Sequence, residues 1–171
     1  MAKGKPKIQY IDGDEGLLDQ ISVLWQALNQ HHLCLSKDFR QHYQEMTFEK
    51  RKAALLEKAK AGKMRVDLAV DVSSGQSVGY CVSSVSKFKV GEIESIFVDE
   101  TFRGFGVGDV LISKAMAWMD REGAESKIVE VAAGNEDAFG FYARYGFRPR
   151  KTVLKQLETA HQLGAKNEVQ K

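Results

Sequence analysis

At 171 residues, with 43% apolar and 28% charged side chains, the chain is long enough to bury something like 70% of its unfolded surface around one core. A formal net charge of +2 excludes a strong overall pull toward nucleic acid or an anionic membrane. No apolar run approaches the roughly 20 residues that cross a bilayer, MAKGKPKIQY has no signal-peptide apolar region, and Cys34 and Cys81 form no CxxC pair, so a cytoplasmic protein with no metal, no membrane partner and no nucleic-acid partner is expected.

In chain order, Lys7 to Ile11 predicts a short strand. From Glu15, the residues Leu17, Leu18, Ile21, Leu24, Trp25 and Leu28 recur at helical spacing and predict a helix ending near His31. Thr47 is placed to cap a second helix, with Phe48, Leu55, Leu56 and Ala59 on its inner side and Gly62 closing it. The period then changes to two. Val66, Leu68 and Val70 alternate with polar residues, Ser73 to Gln76 supply a turn, and Val78, Tyr80 and Val82 alternate again as a hairpin. Glu92 to Val98 predicts a further strand, and a helix runs from the glycine-rich stretch to about Glu122, stopped by Gly123. Ile128 to Ala132 predicts a buried strand, Glu136 to Tyr145 a helix ended by Gly146, and Lys151 to Leu157 a last strand. The order is that of an α+β layer fold, a mixed sheet covered by helices. Residues 158–171 predict a polar tail outside the 1–157 domain.

The stretch FRGFGVGDVL, from Phe102 to Leu111, puts Gly104, Gly106 and Gly108 at alternate positions behind Arg103. A strand, a glycine-rich turn and a helix start form an anion site, because unpaired amides there point outward and the helix dipole favours negative charge. Glycines let the backbone close on a phosphate. There is no Gly-Lys-Ser/Thr as in a Walker A loop, and the spacing differs from the GxGxxG of dinucleotide-binding folds. A tight turn with no ligand is the alternative. DGDEG, from Asp12 to Gly16, starts like a calcium loop, but Gly16 and Val23 stand where ligands are needed.

Arg103-Gly104-Phe105-Gly106-Val107-Gly108 resembles the R/Q-x-x-G-x-G/A motif of the GNAT superfamily of acyl-CoA-dependent N-acyltransferases. IESIFVDETF before it and VEVAAGNEDAFGFYARYGF after it resemble that superfamily's fourth strand, fifth strand and following helix, over about residues 66 to 150. Glu100 stands where proline is common in the family. The resemblance implies a single GNAT-like domain, its mixed β-sheet flanked by helices with the fourth and fifth strands splayed apart. It implies acetyl-CoA as co-substrate, its pyrophosphate on Arg103 to Gly108 and its pantetheine arm along Ile96, Phe97 and Val98. Asn135 matches a cofactor-contacting position, and equally suits a plain N-cap.

Acetyl transfer to a primary amine by direct attack needs a neutral amine, a polarised thioester carbonyl and a proton for the departing thiolate. A backbone N–H near Val98 could serve the carbonyl oxygen. Tyr142 matches the family position that protonates the thiolate, although Ala138, Phe141, Tyr142 and Tyr145 also make an ordinary apolar stripe. For the base, Glu130 and Glu94 rank equal, ahead of Glu92. Simple alternation puts Glu92 and Glu94 on the strand face of Ile96 and Val98, and Glu130 among Ile128, Val129 and Val131. The segment Asn29 to Gln44, rich in His, Tyr and Gln, is placed to meet the acceptor, with His31 and His32 as candidate contacts or plain surface histidines. The acceptor is expected to be an amine-bearing small molecule or peptide, and a homodimer is compatible with the sequence. The rival function is a non-catalytic acyl-CoA-binding regulatory module on the same fold.

Overall fold

The period-two stretches become the long strands of a five-stranded sheet in a computed structural model that describes residues 5–157. Strand β1 (Ile8–Gly13) pairs antiparallel with β2 (Gly62–Asp71), β2 with β3 (Ser77–Ser86), and β3 with β4 (Val90–Val98). The last strand, β5 (Ser126–Val129), runs parallel to β4, so the sheet is mixed and its order follows the chain.

Between β1 and β2 lie a 3-10 helix (Glu15–Ile21) and the helices α1 (Ser22–Leu35), α2 (Arg40–Glu45) and α3 (Phe48–Ala61). The Asp14 carboxylate accepts from Gly16 N–H to start the 3-10 turn, and Thr47 Oγ1 accepts from Lys50 N–H at 3.3 Å to start α3. Helix α4 (Val107–Arg121) connects β4 to β5, and α5 (Ala138–Ala143) follows β5.

Each face of the sheet builds its own core. On one side Leu18, Ile21, Leu24, Trp25, Phe48 and Leu55 pack on Val66, Leu68, Tyr80 and Val82. On the other, Val107, Leu111, Ile112, Ala115, Trp118 and Met119 of α4 pack on Ala69, Val78, Cys81, Val85 and Ile93. A fully buried leucine or isoleucine contributes roughly 1.5–3 kcal/mol, so these two layers supply the main driving force for folding. Residues that face alternately up and down along β3 therefore belong to different cores.

Three expectations change. The single first helix divides into a 3-10 segment and α1, and α2 forms where the sequence has little period. Strand β5 ends at Val129 rather than Ala132, because β4 diverges from it there. Residues Lys151 to Leu157 form no strand and are exposed. Val153 and Leu154 are adjacent apolar residues, which cannot both face one core from an extended segment. The expected polar tail lies outside the described residues, among which no helix is long and apolar enough to cross a membrane.

Candidate active site

Strands β4 and β5 part within the sheet. Their parallel register runs from Val90↔Ser126 to Ile93↔Val129 and stops, while β4 continues to Val98. The edge of β4 beyond Ile93 therefore has no strand beside it on the β5 side. Asp99 N–H donates to Val78 O across the β3 side. By the alternation of a strand, the N–H and C=O groups of Val98 and Ile96 point into the gap. Arg103 confirms this for the carbonyl, since its Nε donates to Val98 O at 2.9 Å. The Arg103 guanidinium also lies over the Phe97 ring, 5.4 Å from its centroid.

One irregularity sits at the parting point. Val82 pairs with Ser95 and Ser83 with Ile93, so Glu94 is an extra, bulged residue in β4. The bulge breaks the simple alternation. Ile93, Ile96 and Val98 face α4, whereas Glu92 and Glu94 reach Lys58 of α3, Ser95 bonds Tyr80 of the α1–α3 core, and Phe97 packs there too. Glu92 and Glu94 thus lie opposite Ile96 and Val98, which corrects the face expected from the sequence.

At the C-terminal end of β4 the chain turns through Glu100–Phe102 and enters α4. Gly104 and Gly106 take φ of +80° and +81°, conformations disfavoured for L side chains, and a Cβ on either would meet nothing within 4 Å. Gly108 is different: a Cβ there would lie 3.4 Å from the Phe141 ring, so its smallness serves the approach of α5. Among the described residues, no protein acceptor is hydrogen-bonded to the N–H groups from Gly104 to Asp109; the first helical bond is Val110 N–H to Gly106 O. Open space over Gly104 and Gly106, unpaired amides and the positive end of a helix dipole coincide there, an arrangement suited to an anion. Phe105 and Val107 pack into the α4 core and hold the loop down.

Helix α5 is fastened over this helix start. Asp109 pairs with Arg144 at 3.0 Å and accepts from the Tyr145 hydroxyl, while Arg148 donates to Ala143 O and Phe147 O. Arg144 and Arg148 are therefore used inside the fold. Tyr142, on α5, is mostly buried, with its ring edge-on to Phe141 and Phe147. Among the described residues its hydroxyl makes no protein hydrogen bond. Burial, and then the nearby Cys81 thiol, push its pKa up, so the phenol stays protonated at physiological pH.

The carboxylates differ sharply. The Glu94 side chain is 1% exposed, and its oxygens receive Ser84 Oγ at 2.7 Å, Lys58 Nζ at 2.7 Å and Arg51 Nη2 at 3.3 Å. Glu92 shares Lys58 at 2.7 Å. Glu130 lies just past β5 and is exposed, rather than enclosed by its apolar neighbours. Asn135 caps no helix with its side chain. Its Oδ1 lies 3.4 Å from His31 Nε2 of α1, and the preceding loop residue presses closer still, since a Cβ on Gly134 would lie 2.6 Å from Leu35 O. His32 stacks near Tyr43, and burial, then the adjacent His31, lowers its pKa. Arg51, Lys58 and Ser84 carry no local sequence signal; only the fold shows that they meet at Glu94.

A profile of the acetyltransferase (GNAT) family matches residues 25–147. The chain belongs to that family. An N-acetyltransferase of Methanocaldococcus jannaschii, itself uncharacterized, is 39% identical over 88 residues, which are 47% of this chain and 38% of that protein. The chain thus matches well under half the length of that relative. Solved structures agree on the fold. A Pyrococcus furiosus putative acetyl transferase superposes with a TM-score of 0.66 at 20% identity, over 88% of this chain and 99% of that one. An aminoglycoside N-acetyltransferase in complex with CoA superposes with a TM-score of 0.62 at 17% identity, over 92% and 98%. The fold with a parallel β4–β5 pair is the one these GNAT proteins share.

Proposed function

We propose that this chain transfers an acetyl group from acetyl-CoA to a primary amine by direct attack in a ternary complex. The observation that carries the reading is the conjunction at the end of β4: an unpaired strand edge running into free amides at the start of α4, with open space over Gly104 and Gly106. A long ligand bearing amides at one end and a pyrophosphate at the other fits such a site. The CoA complex of the aminoglycoside N-acetyltransferase on the same fold supports it.

In this reading the N–H groups of Gly104 to Gly108 hold the pyrophosphate, helped by the dipole of α4. The gap-facing backbone of Ile96 and Val98, with Phe97 between them, aligns the amide-bearing arm as a neighbouring strand would. Arg103 keeps the loop against β4, and Asn135, in the loop after β5, is the further cofactor contact that the family resemblance implies. Acetyl-CoA, when bound, supplies a thioester whose carbonyl carbon accepts the amine and whose sulfur departs. The Val98 N–H is placed to hydrogen-bond the carbonyl oxygen. As the new N–C bond forms and the C–S bond breaks, the Tyr142 hydroxyl donates its proton to the sulfur. The phenol is protonated at physiological pH and so holds a proton to give, and a proton from the amine nitrogen goes to a carboxylate or water. Glu130 is the accessible carboxylate for that role. Glu94 is the alternative, and its oxygens are already engaged.

The test is thermal shift with acetyl-CoA and CoA, followed by a free-thiol assay over small amines, polyamines and peptides. Stabilisation by both ligands, with thiol release from at least one amine, supports transfer. Stabilisation without thiol release from any acceptor would favour the regulatory module, and no stabilisation at all would refute both.

A further inference from the structure

The parting of β4 from β5 needs something to hold it, because two strands in register tend to go on pairing. The bulge at Glu94 begins one residue after the last β4–β5 pair, and a cluster from α3 and β3 closes on that residue. Arg51 Nη2 donates to the Glu94 backbone carbonyl at 2.8 Å and lies 3.3 Å from its carboxylate. Lys58 and Ser84 donate to the other carboxylate oxygen. A bulged residue lies outside the regular ladder, and an unmet buried carbonyl is costly, so a charged donor on it fixes the bulge in place.

We infer that Arg51 is a positioning residue, which through the Glu94 carbonyl and carboxylate sets the path of Ser95 to Val98 and hence the free edge of β4. Glu94 on this account is the buried anchor of the clamp. The inference rests on the proposed cofactor reading only for its functional consequence, because the path of β4 is a property of the protein alone. Arg51 reaches the strand from the α3 side, opposite α4, so it touches neither the glycine loop nor Tyr142. Its effect on the cofactor would travel through the strand.

The experiment compares Arg51→Met, Arg51→Lys and Ser84→Ala with Lys52→Met, which removes an exposed pair to Asp19 from the same helix. Amide exchange at Ser95 and Phe97 is read as a ratio to Leu68 in the central strand β2, and CoA affinity is read by calorimetry. Arg51→Met is expected to raise that ratio at least tenfold and to weaken CoA about tenfold. Arg51→Lys, which can replace one of the two contacts, should return affinity to within about threefold, and Lys52→Met should change neither reading. A role in general stability alone would speed exchange at Leu68 equally and leave the ratio flat, which would overturn the inference. So would a raised ratio with CoA affinity unchanged in a wild type that binds CoA. If the wild type binds no CoA, the cofactor reading fails while the exchange ratio still decides the clamp. Should Arg51→Met not fold, Arg51→Lys and Ser84→Ala carry the test, with smaller rises in the same ratio expected and a flat ratio in both refuting it.

Discussion

Replacing Gly106 by alanine separates the two reasons a glycine can stand at a helix start. Its φ of +81° costs an L side chain roughly 1–2 kcal/mol, and no neighbour within 4 Å adds a clash. For a domain of this size each kcal/mol lowers Tm by about 2–4 °C, so a fall of roughly 2–8 °C is expected. Gly75, in the β2–β3 turn, is a matched control: its φ is +70° and its Cβ would also meet nothing within 4 Å. Gly75→Ala should therefore lose a similar amount of stability. The two variants should diverge on CoA. A methyl at 106 enters the space assigned to the pyrophosphate, and losing even one charge-assisted hydrogen bond there costs roughly 1.5–3 kcal/mol, about ten- to 150-fold in Kd. Gly75→Ala should leave Kd unchanged. Differential scanning fluorimetry and calorimetry measure both quantities. If Gly106→Ala binds CoA as tightly as Gly75→Ala, the loop does not hold the pyrophosphate and the assignment is wrong.

Further outcomes can be measured on the same protein. Tyr142→Phe should lower kcat by about 10²–10⁴-fold while Tm barely moves, because the hydroxyl removed has no protein partner to strand; unchanged kcat would take the proton-donor role from Tyr142. Burial raises Cys81, Tyr80 and Tyr142 above their ordinary values of 9.0, 10.0 and 10.0, so each contributes stability that is present below those values and is lost as pH rises past them. The urea midpoint should accordingly fall between about pH 8 and 10.5, and Cys81→Ala should remove the earliest part of that fall; a midpoint flat over the range would contradict the burial seen here. Gly134→Ala combines a φ of +93° with a Cβ 2.6 Å from Leu35 O, so it should cost more than about 2 kcal/mol in denaturant unfolding and loosen amide protection at the end of α1; a neutral result would show that the loop does not press on that helix.

The glycine loop was readable because a left-handed backbone and an open cradle are both written as glycine. The hairpin and α4 were readable because periods of two and 3.6 survive burial on one face. Local pattern fails at EIESIFV, where alternation runs on through Glu94 while the backbone inserts an extra residue, so Ile96 and Val98 lie on the face opposite Glu92 and Glu94 rather than beside them. Nothing within nine residues of strand announces a bulge whose partners, Arg51 and Ser84, arrive from a helix and another strand. The short α2 likewise has no periodic signal in the sequence. It is held by Asn29 Nδ2 donating to Tyr43 O at 2.8 Å, a contact between elements rather than a propensity. KTVLKQL reads as a strand in the sequence, yet its residues are exposed and join neither the sheet nor a core.

An unpaired strand edge on the outside of a protein invites other chains to add to it, and natural sheets commonly blunt theirs with charge, bulges or cover. Here the vacant position opens inside the sheet, where pairing with β5 stops at Ile93↔Val129, and Phe141 and Tyr142 of α5 pack on the same core as Ile96 and Val98. A neighbour for that edge has to enter between strands rather than add at the rim, so the opening is not an outer edge of the kind that invites other chains.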